Sequence, residues 1–340
     1  MKLAKIAVMA LCAVLCGAGL TGCSGTGGKR IIRISNGQPM THPDNIGLMA
    51  FKEYVEANLG DKYVVQIFPN ELLGSTQKAI ELVQTGAIEY MLGSTSNLET
   101  FDDIYQIFSL PYLFDGIEGF NRVMEDEELM NSIYESTDRS GFRAVAYYTA
   151  GVRSIYATKP IESPEDMKGL KIRVQASPTN IRMIESMGGA AVPMSYGEVY
   201  TAIQQGVIDG AENSEMALTT MKHGEVAKYF SYTEHQIVPD LLIANLKFLE
   251  SLPPEEREIF DEAARISTQV EIEEWDSQIE DVKKQAAEMG VEFIEVDVEP
   301  FRERCLPMHQ EVLEENPKLK PIYEEIDRIQ SEMKKEAEHE

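Results

Sequence analysis

The sequence contains few cysteines, and their positions exclude a disulfide-stabilised fold. Cys12, Cys16 and Cys23 belong to the first 23 residues, so Cys305 is the one thiol of the remaining chain. A single thiol forms no disulfide within the chain, and no group of cysteines and histidines has the spacing of a zinc site. We therefore expect Cys305 to be an apolar core residue, and we predict no bound metal.

Basic residues are scarce as well. The 340 residues include 31 lysines and arginines but 57 aspartates and glutamates, which gives a net charge of −26. Nucleic acids and anionic membrane surfaces attract proteins with clustered positive charge, so both are poor partners for this chain. Any small anion that the protein binds must be held in a pocket built for it.

Catalytic motifs are missing too. The histidines follow no HExxH spacing and lie at positions 42, 223, 235, 309 and 339. Neither the GxSxG motif of serine hydrolases nor the GxxxxGK[ST] phosphate loop occurs in the sequence. These absences argue against an enzyme, and they predict that no cofactor is bound.

The amino terminus has the pattern of an export signal. Lys2 and Lys5 precede an apolar run over residues 6–20, which at 15 residues is shorter than the roughly 20 residues of a membrane span. The next residues, LTGC at 20–23, resemble a bacterial lipobox. We therefore predict a signal peptide over residues 1–22 and a lipid-anchored tether over residues 23–30, whose first residue, Cys23, carries the lipid.

Strand and helix patterns alternate from residue 30 onward. RIIRIS, KYVVQIF and AIEYMLG predict strands that end at Asn36, near Pro69 and at Ser94, with a helix between each pair. We expect Asp44 to open the first helix and Ser75 to cap the second. This order predicts a largely parallel sheet covered by helices.

A second run of the same kind follows Gly151, so the sequence predicts two α/β domains with a cleft between them. One domain comprises residues 31–150 and 239–278, the other residues 151–238 and 279–330, and residues 331–340 form an acidic tail. Residues 253–290 contain no internal proline or glycine. They form either one helix of about 50 Å that reaches across both domains or two helices broken near Ile272.

Polar side chains are predicted to meet at the cleft. Asn36, Ser94 and Asn213 end three separate strands, and ligands of open α/β sheets lie beyond the carboxyl ends of strands. In LKIRVQ, strand alternation places Leu170, Ile172 and Val174 on one face and Lys171, Arg173 and Gln175 on the other. Arg173, together with Arg153, would supply a guanidinium that binds a carboxylate through two hydrogen bonds.

Three long segments resemble the DctP-type solute-binding proteins of TRAP transporters. They are SGFRAVAYYTAGVRSIYATKPIESPEDMKGLKIRVQAS, GGAAVPMSYGEVYTAIQQGVIDGAENS and LPPEEREIFDEAA. The resemblance covers residues 31–330 and implies a periplasmic-binding-protein-like fold of two α/β domains with mixed, mostly parallel sheets, hinge strands and a long interdomain helix.

The resemblance also assigns roles within the site. It implies that Arg173 binds the ligand's carboxylate, that Arg153 and Asn213 assist it, and that Tyr196 lies against the ligand. The matching motifs place further candidate ligand-binding residues at His42, Glu212 and His235. Family members that bind sialic acid carry glutamate where this chain has Ser94, so sialic acid is not the expected ligand.

The expected ligand is a sugar acid such as glucuronate or galacturonate, because THPDN, GVRSIYATKPI and YFSYTEH look closest to members that bind such acids. A C4-dicarboxylate is the alternative, since two arginines could bind two carboxylates. An extracellular uronate-processing enzyme and a receptor of an ABC importer are more distant alternatives. The implied partners are TRAP permease membrane subunits, and we expect a monomer whose domains close over the ligand about hinges near Gly151 and Pro239.

We predict that the mature protein begins at Cys23 and carries diacylglycerol there, because LTGC directly follows the apolar run. Intact mass spectrometry of protein extracted from membranes measures both features. A mature chain that begins at another residue, or one without the added acyl mass, would contradict this prediction.

Overall fold

The computed structural model describes residues 28–337. The predicted signal peptide, the lipid attachment at Cys23 and the last three residues of the predicted tail lie outside this range. None of the helices within residues 28–337 is long and apolar enough to cross a membrane.

Eleven strands of the described residues form two mixed sheets. They are β1 Arg30–Asn36, β2 Tyr63–Phe68, β3 Tyr90–Ser94, β4 Phe142–Tyr148, β5 Val152–Ala157, β6 Lys171–Val174, β7 Ala190–Pro193, β8 Gly210–Asn213, β9 Tyr229–Ile237, β10 Asp240–Asn245 and β11 Glu292–Glu295. The first sheet has the order β2-β1-β3-β10-β4, and the second has the order β11-β9-β5-β8-β6-β7. We call the first sheet with its helices the first lobe, and the second sheet with its helices the second lobe.

Helices cover the faces of both sheets. The α-helices are α1 Pro43–Leu59, α2 Thr76–Thr85, α3 Thr95–Leu98, α4 Gly116–Met124, α5 Glu127–Ser136, α6 Pro178–Ser186, α7 Val199–Gln204, α8 Met216–Thr220, α9 Leu246–Ser251, α10 Pro254–Glu288, α11 Glu299–Cys305, α12 Pro307–Glu315 and α13 Lys320–Ala337. Short 3₁₀ helices lie at Asp103–Ser109, Thr137–Ser140, Pro164–Met167, Tyr196–Glu198, His223–Glu225 and Pro317–Leu319.

Strand β10 shows why apolar residues run almost without interruption through the central strands. Its Leu241 and Ile243 belong to the apolar cluster on one face of the first sheet, and Leu242 and Ala244 belong to the cluster on the other face. Successive strand residues point to opposite faces, so a strand covered on both sides must be apolar at every position. In the second sheet, the same alternation sends Ile155 and Tyr156 of β5 into two different clusters.

Two short segments connect strands of the first sheet with strands of the second. Strand β4 ends at Tyr148 in the first sheet and β5 begins at Val152 in the second, while β9 ends at Ile237 and β10 begins at Asp240. These segments include Gly151 and Pro239, where we predicted the hinges. The cleft opens beside them, because β1, β3 and β8 end there.

Helix α10 is continuous, so of the two arrangements considered for residues 253–290 the single long helix is the one found. Its Phe260, Ala263 and Ala264 pack in the core of the first lobe. Its Ala286 packs in a core cluster of the second lobe. With 35 residues it is about 50 Å long, which lets one helix contribute to both cores.

The carboxyl-terminal helices differ from the predicted domain boundaries. Phe301, Cys305 and Met308 pack in the second lobe, but Val312, Leu319, Ile326 and Ile329 pack in the first lobe, although residues 279–330 were assigned to the second domain. The reason is that α13 has an apolar face that covers α4 of the first lobe. The predicted acidic tail continues this helix as far as Ala337.

Local signals at helix starts are mostly confirmed. Ser75 and Ser177 accept hydrogen bonds from the backbone N–H groups of Lys78 and Asn180, as helix caps do. The first helix differs, because His42 caps α1 by accepting a hydrogen bond from the backbone N–H of Asp44 at 3.2 Å. Cys305 is buried among apolar residues as expected, and burial raises the pKa of its thiol to about 12.

Gly151 lies in the segment that connects β4 with β5, and a substitution there tests how tightly this segment packs against α10. Gly151 has φ of 67°, and a Cβ atom there would lie 2.6 Å from Cζ2 of Trp275 on α10. Gly151→Ala should therefore lower the free energy of unfolding by about 1–2 kcal/mol for the left-handed backbone and by a further 1–3 kcal/mol for overpacking, as measured by urea titration.

Gly206→Ala is the matched control for this prediction. Gly206 has φ of 68°, but no atom lies within 4 Å of the Cβ that alanine would add. Its substitution should therefore cost only the backbone contribution. Equal losses of stability in the two variants would show that Trp275 does not crowd the alanine side chain at position 151.

Candidate ligand-binding cleft

A cavity of about 350 Å³ lies between the two lobes. Of the nine side chains predicted to bind ligand, six line it, namely Asn36, Ser94, Arg153, Arg173, Tyr196 and Asn213. The remaining lining residues are Gly37, Gln38, Glu71, Ser75, Thr76, Gln77, Leu92, Gly93, Asn97, Ala150, Gln175, Ala176, Pro193, Met194, Ser195 and Asp240. The volume suits a small organic molecule, and the polar lining suits one with several hydrogen-bonding groups.

Sheet order explains why two arginines meet in this cavity. Arg153 lies on β5 and Arg173 on β6, and β8 runs between these two strands. Residue Asn213 of β8 lies opposite Ser154, and Ala211 lies opposite Arg173. Three neighbouring strands therefore bring Arg153, Arg173 and Asn213 to the same end of the second sheet.

The guanidinium of Arg153 is held in place by protein groups. Its Nε donates to Glu212 Oε2 at 2.6 Å, its Nη2 donates to the Glu212 carbonyl oxygen at 2.9 Å, and its Nη1 donates to Asn213 Oδ1 at 3.0 Å. Asn213 Nδ2 in turn donates to the hydroxyl oxygen of Tyr196 at 3.2 Å. This network fixes Arg153, Asn213 and Tyr196 in one arrangement before any ligand arrives.

Arg173 is in a different situation. Only 4% of it is exposed, and its Nε and Nη2 both donate to the carbonyl oxygen of Met194, at 3.1 and 3.0 Å. Its guanidinium carbon lies 5.4 Å from the centre of the Tyr196 ring. No ion pair formed within residues 28–337 includes Arg173, and burial lowers the pKa of this guanidinium.

The contrast between the two arginines defines the chemistry of the cavity. Arg153 is neutralised by Glu212, whereas Arg173 is a buried cation that has only carbonyl and aromatic partners. A buried charge is unfavourable unless it is paired and hydrogen-bonded. The arrangement is therefore suited to receive one anionic group from a ligand.

Three of the predicted ligand-binding residues do not line the cavity. Glu212 and His235 are fully buried behind Arg153, where His235 Nε2 lies 3.6 Å from Glu212 Oε2. Burial disfavours the charge of Glu212, but the Arg153 guanidinium outweighs it and lowers the pKa of Glu212 to about 2. His42 caps α1 and packs edge-on against Trp275. These three residues orient neighbouring groups rather than the ligand.

The first lobe contributes polar groups from strand ends and from one turn. Asn36 Oδ1 accepts a hydrogen bond from the backbone N–H of Gln38 at 2.7 Å, and its Nδ2 is buried without a partner among the described residues. Ser94 Oγ caps α3 and lies 3.4 Å from the side-chain amide of Gln175, across the cleft. Asn36 therefore offers a donor to a ligand.

Gln175, Glu71 and Asp240 line the cavity although we did not predict them as site residues. Gln175 had a signal in the sequence, since it lies on the same strand face as Arg173. Its amide also lies 2.9 Å from Glu212 Oε1. Asp240 begins β10, where burial and the nearby charge of Asp44 raise the pKa of its carboxyl well above the ordinary value. Within residues 28–337, no group of His, Cys, Asp and Glu side chains is arranged to hold a metal ion.

Comparison with known proteins agrees with this geometry. The model of the DctP family, bacterial extracellular solute-binding protein family 7, matches residues 34–316. The chain belongs to this family. The fold of two mixed sheets with a cleft between them is the fold of its solved members, so the predicted family and fold class are both confirmed.

Two solved structures of TRAP periplasmic solute-binding proteins are similar to this chain. One from Anaerococcus prevotii, with bound α/β-D-glucuronate, is 51% identical, with a TM-score of 0.88 over 89% of this chain and 99% of its own. One from a Sulfitobacter species, with bound β-D-galacturonate, is 33% identical, with a TM-score of 0.84 over 86% and 98% of the two chains.

Two curated relatives complete the comparison. The uncharacterized protein YiiZ of Salmonella typhimurium is 38% identical over 304 residues, which are 88% of this chain and 91% of YiiZ. The C4-dicarboxylate-binding periplasmic protein DctP of Vibrio cholerae is 33% identical over 249 residues, which are 72% of this chain and 73% of that protein. The family member described here is thus an extracytoplasmic solute receptor of the TRAP type.

The ion pair behind the cavity yields a prediction about stability. Glu212→Gln should lower the free energy of unfolding at pH 7 by about 3–5 kcal/mol, because it leaves Arg153 as a second buried cation without an anion. The pKa of Glu212 is lower in the folded protein, about 2, than its ordinary value of 4.5. Its stabilising contribution is therefore complete above about pH 4.5 and is lost as the pH falls toward 2.

Urea titrations between pH 2 and pH 7 measure both effects. The loss of stability below pH 4.5 should be shallower in Glu212→Gln than in the unsubstituted protein. Glu280→Gln is the control, because the side chain of Glu280 is 81% exposed and should give the unsubstituted profile. Identical profiles for Glu212→Gln and the unsubstituted protein would contradict the assigned role of the ion pair.

Proposed function

We propose that this TRAP receptor binds a sugar acid with a single carboxylate, glucuronate or galacturonate, and delivers it to the membrane subunits of its permease. The observation that carries the proposal is the state of Arg173, a buried guanidinium in the cavity wall without a carboxylate partner among the described residues. The similarity at 51% identity to a glucuronate-bound receptor supports the choice of ligand.

In this proposal, the ligand carboxylate binds to Arg173. The guanidinium has five N–H donors, of which two are used by Met194 O, so the remaining donors are free to form a two-bond pair with a carboxylate. Arg153, whose charge is paired with Glu212, lies on β5 at the same end of the sheet. The ring of Tyr196 offers an apolar face to the sugar, and Asn213 holds the hydroxyl group of that ring.

The alternative ligand is a C4-dicarboxylate. Two arginines line the cavity, and the Vibrio cholerae relative is a C4-dicarboxylate-binding protein. Against this alternative, Glu212 already neutralises Arg153, so the cavity offers one uncompensated cation rather than two. Glu71 and Asp240 also place carboxyl groups in the wall, and these groups match hydroxyls better than they match a second anion.

The same geometry argues for binding without turnover. The residues that line the cavity include no histidine, cysteine or lysine, so the usual pairs of a nucleophile with a general base are absent from the lining. Its two carboxyl groups, those of Glu71 and Asp240, are hydrogen-bonding groups for a ligand in this proposal, and the family that matches the chain is one of solute-binding proteins. We infer that the ligand leaves the site chemically unchanged.

We further propose that the receptor acts as a monomer tethered through the lipid on Cys23. The sequence between the lipobox and β1 is SGTGG followed by Lys29, a short segment of small residues suited to a tether. A tether keeps the receptor close to the permease and raises its effective concentration there. We also propose that the boundaries between the two domains lie at residues 150–151 and 238–239.

Isothermal titration calorimetry of the purified protein tests the function. D-glucuronate, D-galacturonate, succinate and malate are titrated in turn, and the bound ligand is then released and identified by NMR. We expect binding of at least one uronate, weaker binding of both dicarboxylates, and recovery of the uronate unchanged. Preferential binding of a dicarboxylate would favour the alternative, and recovery of a product would favour an enzyme.

Substitutions of Arg173 test the binding mode. Arg173→Ala should weaken uronate binding by a factor of roughly 30 or more, since a buried carboxylate that loses its charged partner costs about 2–5 kcal/mol. Arg173→Lys should also bind poorly because lysine cannot form two parallel hydrogen bonds. Neither substitution should lower the melting temperature of the empty protein, because Arg173 has no ion pair among the described residues.

Lys171→Ala is the control for these substitutions. Lys171 belongs to the same strand as Arg173, but its side chain is exposed and does not line the cavity. Its replacement should leave the affinity unchanged. If Arg173→Lys binds as tightly as the unsubstituted protein, the two-bond geometry is wrong, and Arg153 becomes the better candidate for the carboxylate.

A further inference from the structure

Glu71 occupies an unusual turn at the edge of the cavity. The turn follows β2, and its Asn70 and Glu71 both have φ of 53°, in the left-handed region that favours glycine. Backbone hydrogen bonds attach the turn to the end of β1, from Asn70 N to Gln38 O at 3.0 Å and from Glu71 N to Asn36 O at 3.2 Å. The turn is thus held where its side chains reach the ligand space.

The side chain of Glu71 reaches across the cleft to the second lobe. Its Oε2 accepts a hydrogen bond from the backbone N–H of Gly197 at 3.2 Å. Gly197 follows Tyr196, whose ring contacts Arg173. A Cβ atom at position 197 would lie 2.8 Å from Glu71 Oε2, so alanine there would require the end of the Glu71 side chain to shift.

The second carboxylate oxygen of Glu71 has no partner. Oε1 is buried and accepts no hydrogen bond from the residues that the structure describes, although the side chain lines the cavity. An ionised carboxylate can only accept hydrogen bonds. A buried acceptor without a donor is unfavourable, so this oxygen is suited to a ligand that carries N–H or O–H groups.

We propose that Glu71 determines the class of acid that this receptor accepts: it favours acids with hydroxyl groups and rejects acids with a second carboxylate. Oε1 accepts hydrogen bonds from ligand hydroxyls, while Oε2 joins the two lobes through Gly197. This inference rests on the proposed function, since it concerns the part of the ligand that does not contact Arg173. It assigns selection against dicarboxylates to the first lobe and carboxylate binding to the second.

The selection follows from charge. A dicarboxylate that is held at Arg173 by one carboxylate has its second carboxylate in the same cavity. This second carboxylate then lies near the charge of Glu71. Like charges within one cavity repel, and a mismatched charge is an effective means of excluding a wrong ligand. A sugar ring instead presents hydroxyl donors, which form charge-assisted hydrogen bonds with the carboxylate.

D-glucuronate and D-glucarate provide the sharpest comparison, because they have the same carbon chain and glucarate carries a second carboxylate at C1. Glucarate is also an open chain where glucuronate forms a ring, so the change in the ratio of the two affinities between variants is the quantity that tests Glu71. Calorimetric titration of the unsubstituted protein should show at least tenfold tighter binding of glucuronate. Glu71→Gln keeps the size of the side chain and removes its charge. It should weaken glucuronate binding roughly tenfold or more, strengthen glucarate binding, and so reduce or reverse the preference.

Glu71→Gly is the second variant, because glycine adopts φ of 53° without strain and the variant should fold at least as well as the unsubstituted protein. It should also lose the preference. Glu198→Gln is the matched control, since Glu198 is an exposed carboxylate next to Gly197 that binds Ser195 Oγ and does not line the cavity. It should leave both affinities and their ratio unchanged.

The outcomes separate this inference from the proposed function. If the unsubstituted protein binds neither uronate, the proposed function and this inference are both wrong. If it binds glucuronate but the ratio of the two affinities is the same in both Glu71 variants, Glu71 does not select the ligand, and the proposed function stands.

Discussion

The binding cleft depends on two guanidinium groups that are buried on the two strands flanking β8, of which one has a carboxylate partner and the other does not. Glu212 compensates Arg153, and the burial of His235 lowers the pKa of that histidine, so that it stays uncharged beside the pair at neutral pH. The charge of Arg173 is then left for the ligand. A pocket with this single uncompensated cation can hold an anion although the whole chain carries a net charge of −26.

This arrangement also explains the layering of the site. Groups that contact the ligand need a fixed orientation, and the groups behind them supply it. Asn213 shows both layers at once, because its Oδ1 accepts from Arg153 while its Nδ2 holds the hydroxyl of Tyr196. The second lobe is therefore preorganised by its own hydrogen bonds, whereas Asn36 and Glu71 of the first lobe keep buried polar atoms without partners among the described residues.

Most of the fold could be predicted from the sequence. Two-thirds of the residues predicted to bind ligand line the cavity. Strand alternation and the position of strand ends led to Arg173, Asn36, Ser94 and Asn213, because both rules follow from sheet geometry. The strand-end rule does not lead to Asp240, which starts a strand that runs antiparallel to its neighbours. An amino end of an antiparallel strand lies at the same edge of the sheet as the carboxyl ends of the others.

Other features depended on information that the sequence pattern does not contain. Glu212 is not among these features, since it is adjacent to Asn213 on β8 and strand alternation alone allows only one of the two to line the cavity. Glu71 belongs to a turn, where no periodicity predicts the direction of a side chain. Helix α13 packs in the first lobe although chain order placed it with the second domain, because an amphipathic helix shows that it covers an apolar surface but not which one.

The packing of the carboxyl-terminal helices has a consequence for how the protein is made. Ile326 and Ile329 complete a cluster of the first lobe that also contains Ile80 and Met91. The first lobe contains the strands that are synthesised first, β1 to β3. Its core therefore remains incomplete until almost the whole chain has been synthesised. Contacts between residues so distant in sequence form slowly, since the intervening chain must be ordered first. Late completion of this core keeps the chain unfolded for longer. An unfolded chain can be threaded through a membrane, and the family to which this protein belongs functions outside the cytoplasm.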